Sequence, residues 1–244
     1  MSNKIKLYPC FSKWEEFDSI TILSDTHFDD EDVKEYRGNI TSEEIVKNIN
    51  KTCGKKSVFI CLGDVGNVEW VKKIRGYKVL IKGNHDSGSS NYQRTKTLNM
   101  DDCIVVRDFE DQFNAEIKGY KKTNEYLLGE WLYAKEVDNH LFDEVYEGPL
   151  IINEKIILSH EPLDVKGMLN IHGHIHGKRG RGAAGSYHLN VCAEHVNYTP
   201  IRLNDIVEKG YLSKIDSIHR ETIDKATDRK RKREKKWANM LTFT

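Results

Sequence analysis

Net charge is the first thing this sequence lacks. Lys plus Arg and Asp plus Glu both count 38 in 244 residues, so bulk charge specifies neither a nucleic-acid nor a membrane partner. No apolar run approaches the roughly 18–20 residues that span a bilayer, and no membrane partner is expected. The first residues, Met-Ser-Asn-Lys-Ile-Lys-Leu, hold no apolar stretch of the signal-peptide kind, and a cytoplasmic setting is expected. Cysteine is sparse: Cys10, Cys53, Cys61, Cys103 and Cys192 are scattered, odd in number and never spaced Cys-x-x-Cys, which argues against a disulfide framework and a zinc ribbon. Cys61 and Cys192 read as small packed residues, although Cys192 follows a strand near the polar cluster described below. A Gly-Lys-Ser/Thr phosphate loop is missing too, which excludes P-loop nucleotide hydrolysis. A chain of this length fits one α/β domain with a full core rather than two.

What is present is a series of short apolar runs, each ending in polar, loop-forming residues. Ile20-Thr21-Ile22-Leu23 leads into Asp25-Thr26-His27, and Val58-Phe59-Ile60-Cys61-Leu62 into Gly63-Asp64. Val79-Leu80-Ile81 leads into Gly83-Asn84-His85-Asp86, Ile156-Ile157-Leu158 into Ser159-His160, and Met168-Leu169-Asn170-Ile171 into His172-Gly173-His174-Ile175-His176. Runs of this kind suit sheets covered on both faces. Thr41 with Glu44 three residues on marks a capping box and a helix start, and Asn67 to Lys73 reads as a short helix. Strands alternating with helices predict an α/β architecture, whose sites lie at the C-terminal ends of the strands. Residues 90–145 are more polar and read as an insertion or partial lid, with a helix over Leu127 to Val137 that places Leu128, Trp131 and Leu132 on one face. His188-Leu189-Asn190-Val191 and Pro200-Ile201-Arg202-Leu203 read as further strands. Residues 1–212 are expected to form the main domain, and 213–244 a C-terminal helix and basic tail.

Two adjacent divalent ions need several carboxylate, imidazole and carbonyl ligands, with one carboxylate able to bridge. The chain supplies those residue types at the ends of the five predicted strands. In their order they resemble the calcineurin-like metallophosphoesterases, compact bacterial and phage type, whose signature is Asp-x-His, Gly-Asp, Gly-Asn-His-Asp/Glu, a lone His and Gly-His-x-His. The matching segments are Asp25-Thr26-His27, Gly63-Asp64, Gly83-Asn84-His85-Asp86, His160 and Gly173-His174-Ile175-His176, within roughly residues 18–203. The resemblance implies an α/β sandwich of two facing mixed sheets flanked by helices. It places Asp25, His27 and His176 on one metal and Asn84, His160 and His174 on the other, with Asp64 bridging. It also implies His85 as the acid that protonates the leaving oxygen, oriented by Asp86. Mixed His, Asp and Asn ligation suits manganese, iron, zinc or nickel better than calcium, and the resemblance implies manganese as the first of these.

Two features depart from the family pattern. Ser159 stands where Gly often precedes the lone His, and Asp29-Asp30, read as a solvated loop, replaces a frequent Gly-His. His172 reads as a strand or outer-shell residue; His140, His188, His195 and His219 read as packing or surface residues. The implied substrate is a phosphate ester. A phosphodiester such as a cyclic nucleotide or nucleic-acid end is preferred to a small phosphomonoester, with Arg179 and Arg181 as cationic contacts. Asn91, Tyr92 and Arg94 are further candidates for the mouth of the site. The rival classes are a scaffold without catalysis and a nucleic-acid-binding protein using the seven cations of Arg229 to Lys236.

Overall fold

The computed structural model describes residues 5–33, 37–86, 91–127, 130–177, 187–213 and 215. Its architecture is mixed α/β. Strands β1 (Ser19–Leu23), β2 (Ser57–Cys61) and β3 (Tyr77–Ile81) lie parallel. In the insertion β4 (Lys96–Val106), β5 (Tyr120–Leu127) and β6 (Glu130–Asp138) form a separate antiparallel sheet in the order β4-β6-β5. After it, β7 (Glu144–Tyr146) joins β3 in parallel. Then β8 (Leu150–Ile151), β9 (Ile156–Leu158), β10 (Leu169–His172) and β11 (His188–Asn190) build a second sheet in the order β11-β10-β9-β8. Finally β12 (Ile201–Arg202) pairs antiparallel with β1 and closes the first sheet as β12-β1-β2-β3-β7.

Alternation along the strands sorts the side chains. Ile22, Val58, Ile60, Val79 and Ile81 of the first sheet pack with Ile156, Leu158, Leu169 and Ile171 of the second, so the two sheets face each other across one core. The opposite face of the first sheet (Leu23, Phe59, Cys61 and Leu80) is covered by Ile45, Val46 and Ile49. Those three residues lie on a helix. Among the described residues the helices include α1 (Ser12–Glu15), α2 (Ser42–Thr52), α3 (Phe109–Ile117) and α4 (Leu203–Glu208). Thr41 and Glu44 form the expected capping box at the start of α2, and Asn67 caps a 3-10 turn over Val68–Lys73.

The helix expected over Leu127 to Val137 does not form among the described residues: Leu127 ends β5, and residues 130–137 lie in β6. Period-two order wins there: Trp131 and Tyr133 share one face, while Leu132 and Ala134 share the other. The Leu-Trp-Leu spacing fits both periods, and the β-favouring Trp131, Tyr133 and Val137 decide it. Arg94 is also reassigned, because its guanidinium is held by Asp138 and Asp143 where the insertion leaves and rejoins the main sheet. Tyr92 is buried in the core and does not line a mouth. Among the described residues no helix is long and apolar enough to cross a membrane.

Candidate metal centre

Every predicted ligand follows the C-terminal end of a parallel strand, and the two facing sheets bring those ends together. The loops after β1 and β2 bond to each other: Asp25 N–H donates to Gly63 O at 3.0 Å and His27 N–H to Asp64 O at 2.9 Å. Four of the ligand candidates hold left-handed backbone, with φ of 57° at Asp25, 39° at His27, 53° at Asp64 and 66° at His174. For residues with a Cβ this costs about 1–3 kcal/mol each, and such strain gathers at functional sites. At Gly173 the requirement is space: a Cβ there would lie 2.1 Å from Asp25 Oδ2 and 2.0 Å from Ser24 Oγ. The neighbouring His174 N–H can therefore donate to the Asp25 carboxylate, at 3.0 Å to Oδ2.

The polar side chains fall into groups that share members. Asp25, His27 and Asp64 place ligand atoms within 4.8 Å of one another, as do Asp64, His160 and His174, so Asp64 belongs to both. Around the second group, His160 Nε2 lies 2.8 Å from Asn84 Oδ1, 3.2 Å from His174 Nδ1 and 3.3 Å from Asp64 Oδ2. His174 Nδ1 is 3.1 Å from Asn84 Oδ1. On the first side His176 Nε2 is 3.2 Å from Asp25 Oδ1, and His27 Nε2 is 3.6 Å from Asp64 Oδ2. Adjacent ligands on one ion with bonds of about 2.1 Å sit about 3.0–3.4 Å apart, which the 3.1–3.3 Å spacings match and the 2.8 and 3.6 Å ones bracket.

The outer ring nitrogens strengthen that fit. His27 Nδ1 bonds Asp30 Oδ2 at 2.9 Å, His160 Nδ1 bonds Leu62 O at 2.8 Å, and His176 Nδ1 bonds Glu194 Oε1 at 2.8 Å. Carboxylates and carbonyls only accept, so each Nδ1 carries a proton, and a ring that gives up its Nε2 proton would present that lone pair inward. Among the described residues, His27 Nε2 is buried with no hydrogen-bond partner. Glu194 was not singled out in the sequence, and Asp30, read there as part of a solvated loop, is more than that. Asp29 likewise accepts from Ser42, Asn67 and Trp70, fixing the loop against α2 and the Val68–Lys73 turn. Cys192 is buried as expected, but its thiol donates to Asp25 Oδ2 at 3.2 Å.

His85 stands at the exposed edge of this cage, with its ring 5.4 Å from that of His27. Asp86 does not hold it. The Asp86 carboxylate is buried and accepts backbone N–H groups from Asp64 at 2.8 Å, Val65 at 3.0 Å and Gly83 at 2.9 Å. It braces the turn that presents Asp64. Asp86→Ala should strip three N–H groups of their acceptor and lower the stability of the metal-free protein by about 3 kcal/mol or more. Urea unfolding reads this directly; an unchanged midpoint would remove the brace.

His172 is buried in β10, as expected of a strand residue, and its Nδ1 bonds Gly173 O. His188 pairs with Asp164 at 2.7 Å, His195 neighbours Glu194, and His140 is exposed. Arg179, Arg181, His219 and Arg229 to Lys236 lie outside the described residues.

Charge in the cage is balanced by protons when no cation is bound. Burial pushes the Asp25 carboxyl up, but the bond from His176 and the His160 charge outweigh it and hold the group at about 2. Burial pushes His176 down, yet its bonds to Asp25 and Glu194 raise it to about 10. At neutral pH the metal-free His176 is therefore cationic, and a metal must displace its proton. Metal binding at pH 7 should release about one proton from this ring, and apparent affinity should climb with pH until about 10. Calorimetry in buffers of different ionisation enthalpy measures the release. Glu194→Gln should reduce it, and no release in the wild type would take His176 out of the ligand set.

No family model and no curated protein matches this chain. Among solved structures, it is similar to the crystal structure of the protein of unknown function AQ665 from Aquifex aeolicus, at 21% identity and TM-score 0.48, over 78% of this chain and 98% of that one.

Proposed function

We propose that this chain is a metal-dependent phosphoric ester hydrolase with a dinuclear centre, of the metallophosphoesterase type that its ordered motifs resemble. The observation that carries this reading is the crowding of lone-pair atoms: Asp64 Oδ2, Asn84 Oδ1, His160 Nε2 and His174 Nδ1 gather on one side of a carboxylate that the Asp25 and His27 group shares. Such atoms repel one another unless positive charge lies among them. Asp25, His27 and His176 would hold one divalent ion, Asn84, His160 and His174 the other, and Asp64 would bridge, with manganese the first candidate.

Bound there, two such ions supply an activated water near neutral pH and neutralise phosphoryl charge. The chain's own groups do the rest. Asp30, Glu194 and the Leu62 carbonyl keep the three imidazoles in one tautomer and orientation. His85, exposed at the edge of the cage, would hand a proton to the departing oxygen. A phosphodiester is the preferred substrate class, by analogy with the resembling family. The test is a panel of phosphomono- and phosphodiesters assayed with Mn²⁺ and with chelator, alongside metal content. Turnover that needs metal supports the reading. Two ions bound without turnover of any ester would leave a metal-binding scaffold.

A further inference from the structure

Helix α3 carries its apolar residues on the wrong side for a self-contained fold. It lies on the β4-β6-β5 sheet and contributes Ala115, 1% exposed, to a small core with Val106 and Tyr133. Its large apolar residues are Phe109, Phe113 and Ile117, spaced four apart, and they are 80%, 56% and 68% exposed. At 100° per residue they form a stripe nearly opposite Ala115. Scattered exposed apolar side chains are ordinary, but a three-membered stripe along one helix marks a contact surface.

Charge selects the occupant. Between Phe109 and Ile117 the helix carries Glu110, Asp111 and Glu116 and no Lys or Arg. A second copy packed antiparallel about a twofold axis would set Glu110 against the partner's Glu116, which is repulsive. A basic segment with its own apolar residues is complementary, and this chain contains one. Arg229-Lys230-Arg231-Lys232-Arg233-Glu234-Lys235-Lys236 is followed by Trp237, Met240 and Leu241, at the i, i+3, i+4 spacing of a helix face. Residues 216–244 follow the last described residue, the buried Ile215. The stretch up to Trp237 can extend roughly 70 Å, against a radius of gyration of about 18 Å for a folded chain this long. Reach is therefore no obstacle.

We propose that the acid-flanked stripe of α3 is the docking surface for the chain's own segment 229–244, with Trp237, Met240 and Leu241 against Phe109, Phe113 and Ile117 and the basic run along Glu110 and Glu116. The segment is rich in trypsin sites, so docking is read by cleavage of the full chain. Trypsin should cut between Arg229 and Lys236 about tenfold faster in Phe113→Asp, and in the double variant Glu110→Lys, Glu116→Lys, than in the wild type, because cleavage follows the undocked population. Added salt should speed cleavage of the wild type more than of the charge-reversal variant. The substituted side chains are exposed, so circular dichroism and thermal midpoint should not change; Phe109→Asp serves should Phe113→Asp misfold. Equal cleavage rates in wild type and variants overturn the proposal. So does a wild-type dimer that Phe113→Asp dissociates without changing cleavage, since the stripe would then serve a second copy. A dimer lost both with Phe113→Asp and on truncation after Asp228 upholds the contact, made between two chains.

Discussion

Replacing Asp64 by Asn is expected to reduce ester hydrolysis on the order of 10³-fold or more, well beyond the roughly 10–100-fold of a change in an outer-shell partner. Asp64 belongs both to the group with Asp25 and His27 and to the group with His160 and His174, so weakening it weakens both. Asn is the informative substitution because it tolerates the left-handed backbone at this position, φ 53°, and its carbonyl can still accept the His85 N–H. What it loses is charge and the second carboxylate oxygen. Bound metal, measured by mass spectrometry after dialysis, should fall from two ions per chain to one or none. Asp29→Asn is the control: its carboxylate fixes a loop and reaches no proposed ligand, so it should cost stability more than turnover. Near-normal turnover by the Asp64 variant at saturating metal would end the dinuclear reading.

The positions of the ligand candidates were legible in the sequence because two simple patterns coincide. Short apolar runs give parallel strands buried on both faces, and the polar residue after each run falls at the strand's C-terminal end. Asp25, Asp64, Asn84, His160 and His174 all follow from that rule. What holds them was not legible. Asp86 neighbours His85 in sequence and invites pairing with it, yet its carboxylate turns back to the Asp64 and Gly83 backbone. Glu194 reaches His176 only because β11 lies beside β10, a fact of sheet order. Asp30 looked like a solvated charge because nothing local shows that the loop after β1 folds back on itself through left-handed residues at His27 and Asp29. The insertion was misread for a related reason. Its strands β4 and β6 are exposed over much of their length, and the buried run Leu132–Ala134 follows neither period two nor period 3.6.

On the proposed function, His85 should behave unlike the ligand candidates around it. Its ring stands at the exposed edge of the cage, and its backbone N–H donates to Asp64 Oδ1 at 2.9 Å. Asn at this position keeps that backbone bond, so His85→Asn should retain both ions. What would disappear, on the proposed function, is a proton donor for the departing oxygen. A positioned general acid contributes about 10²–10⁴-fold, and the contribution grows with the basicity of the leaving alcohol. An alkyl ester, whose alkoxide leaves poorly without a proton, should lose activity in that range. A nitrophenyl ester, whose phenolate leaves unaided, should lose about tenfold or less. Asp86 variants should not reproduce this selectivity, because the Asp86 carboxylate braces the Asp64 turn and is not bonded to the His85 ring; they should lose stability and metal across all substrates alike. A leaving-group series on metal-loaded wild type, His85→Asn and Asp86→Ala, with metal content measured on each, separates the two roles. Equal losses across the series for His85→Asn, or loss of its bound metal, would take His85 out of the acid's role and make it part of the cage.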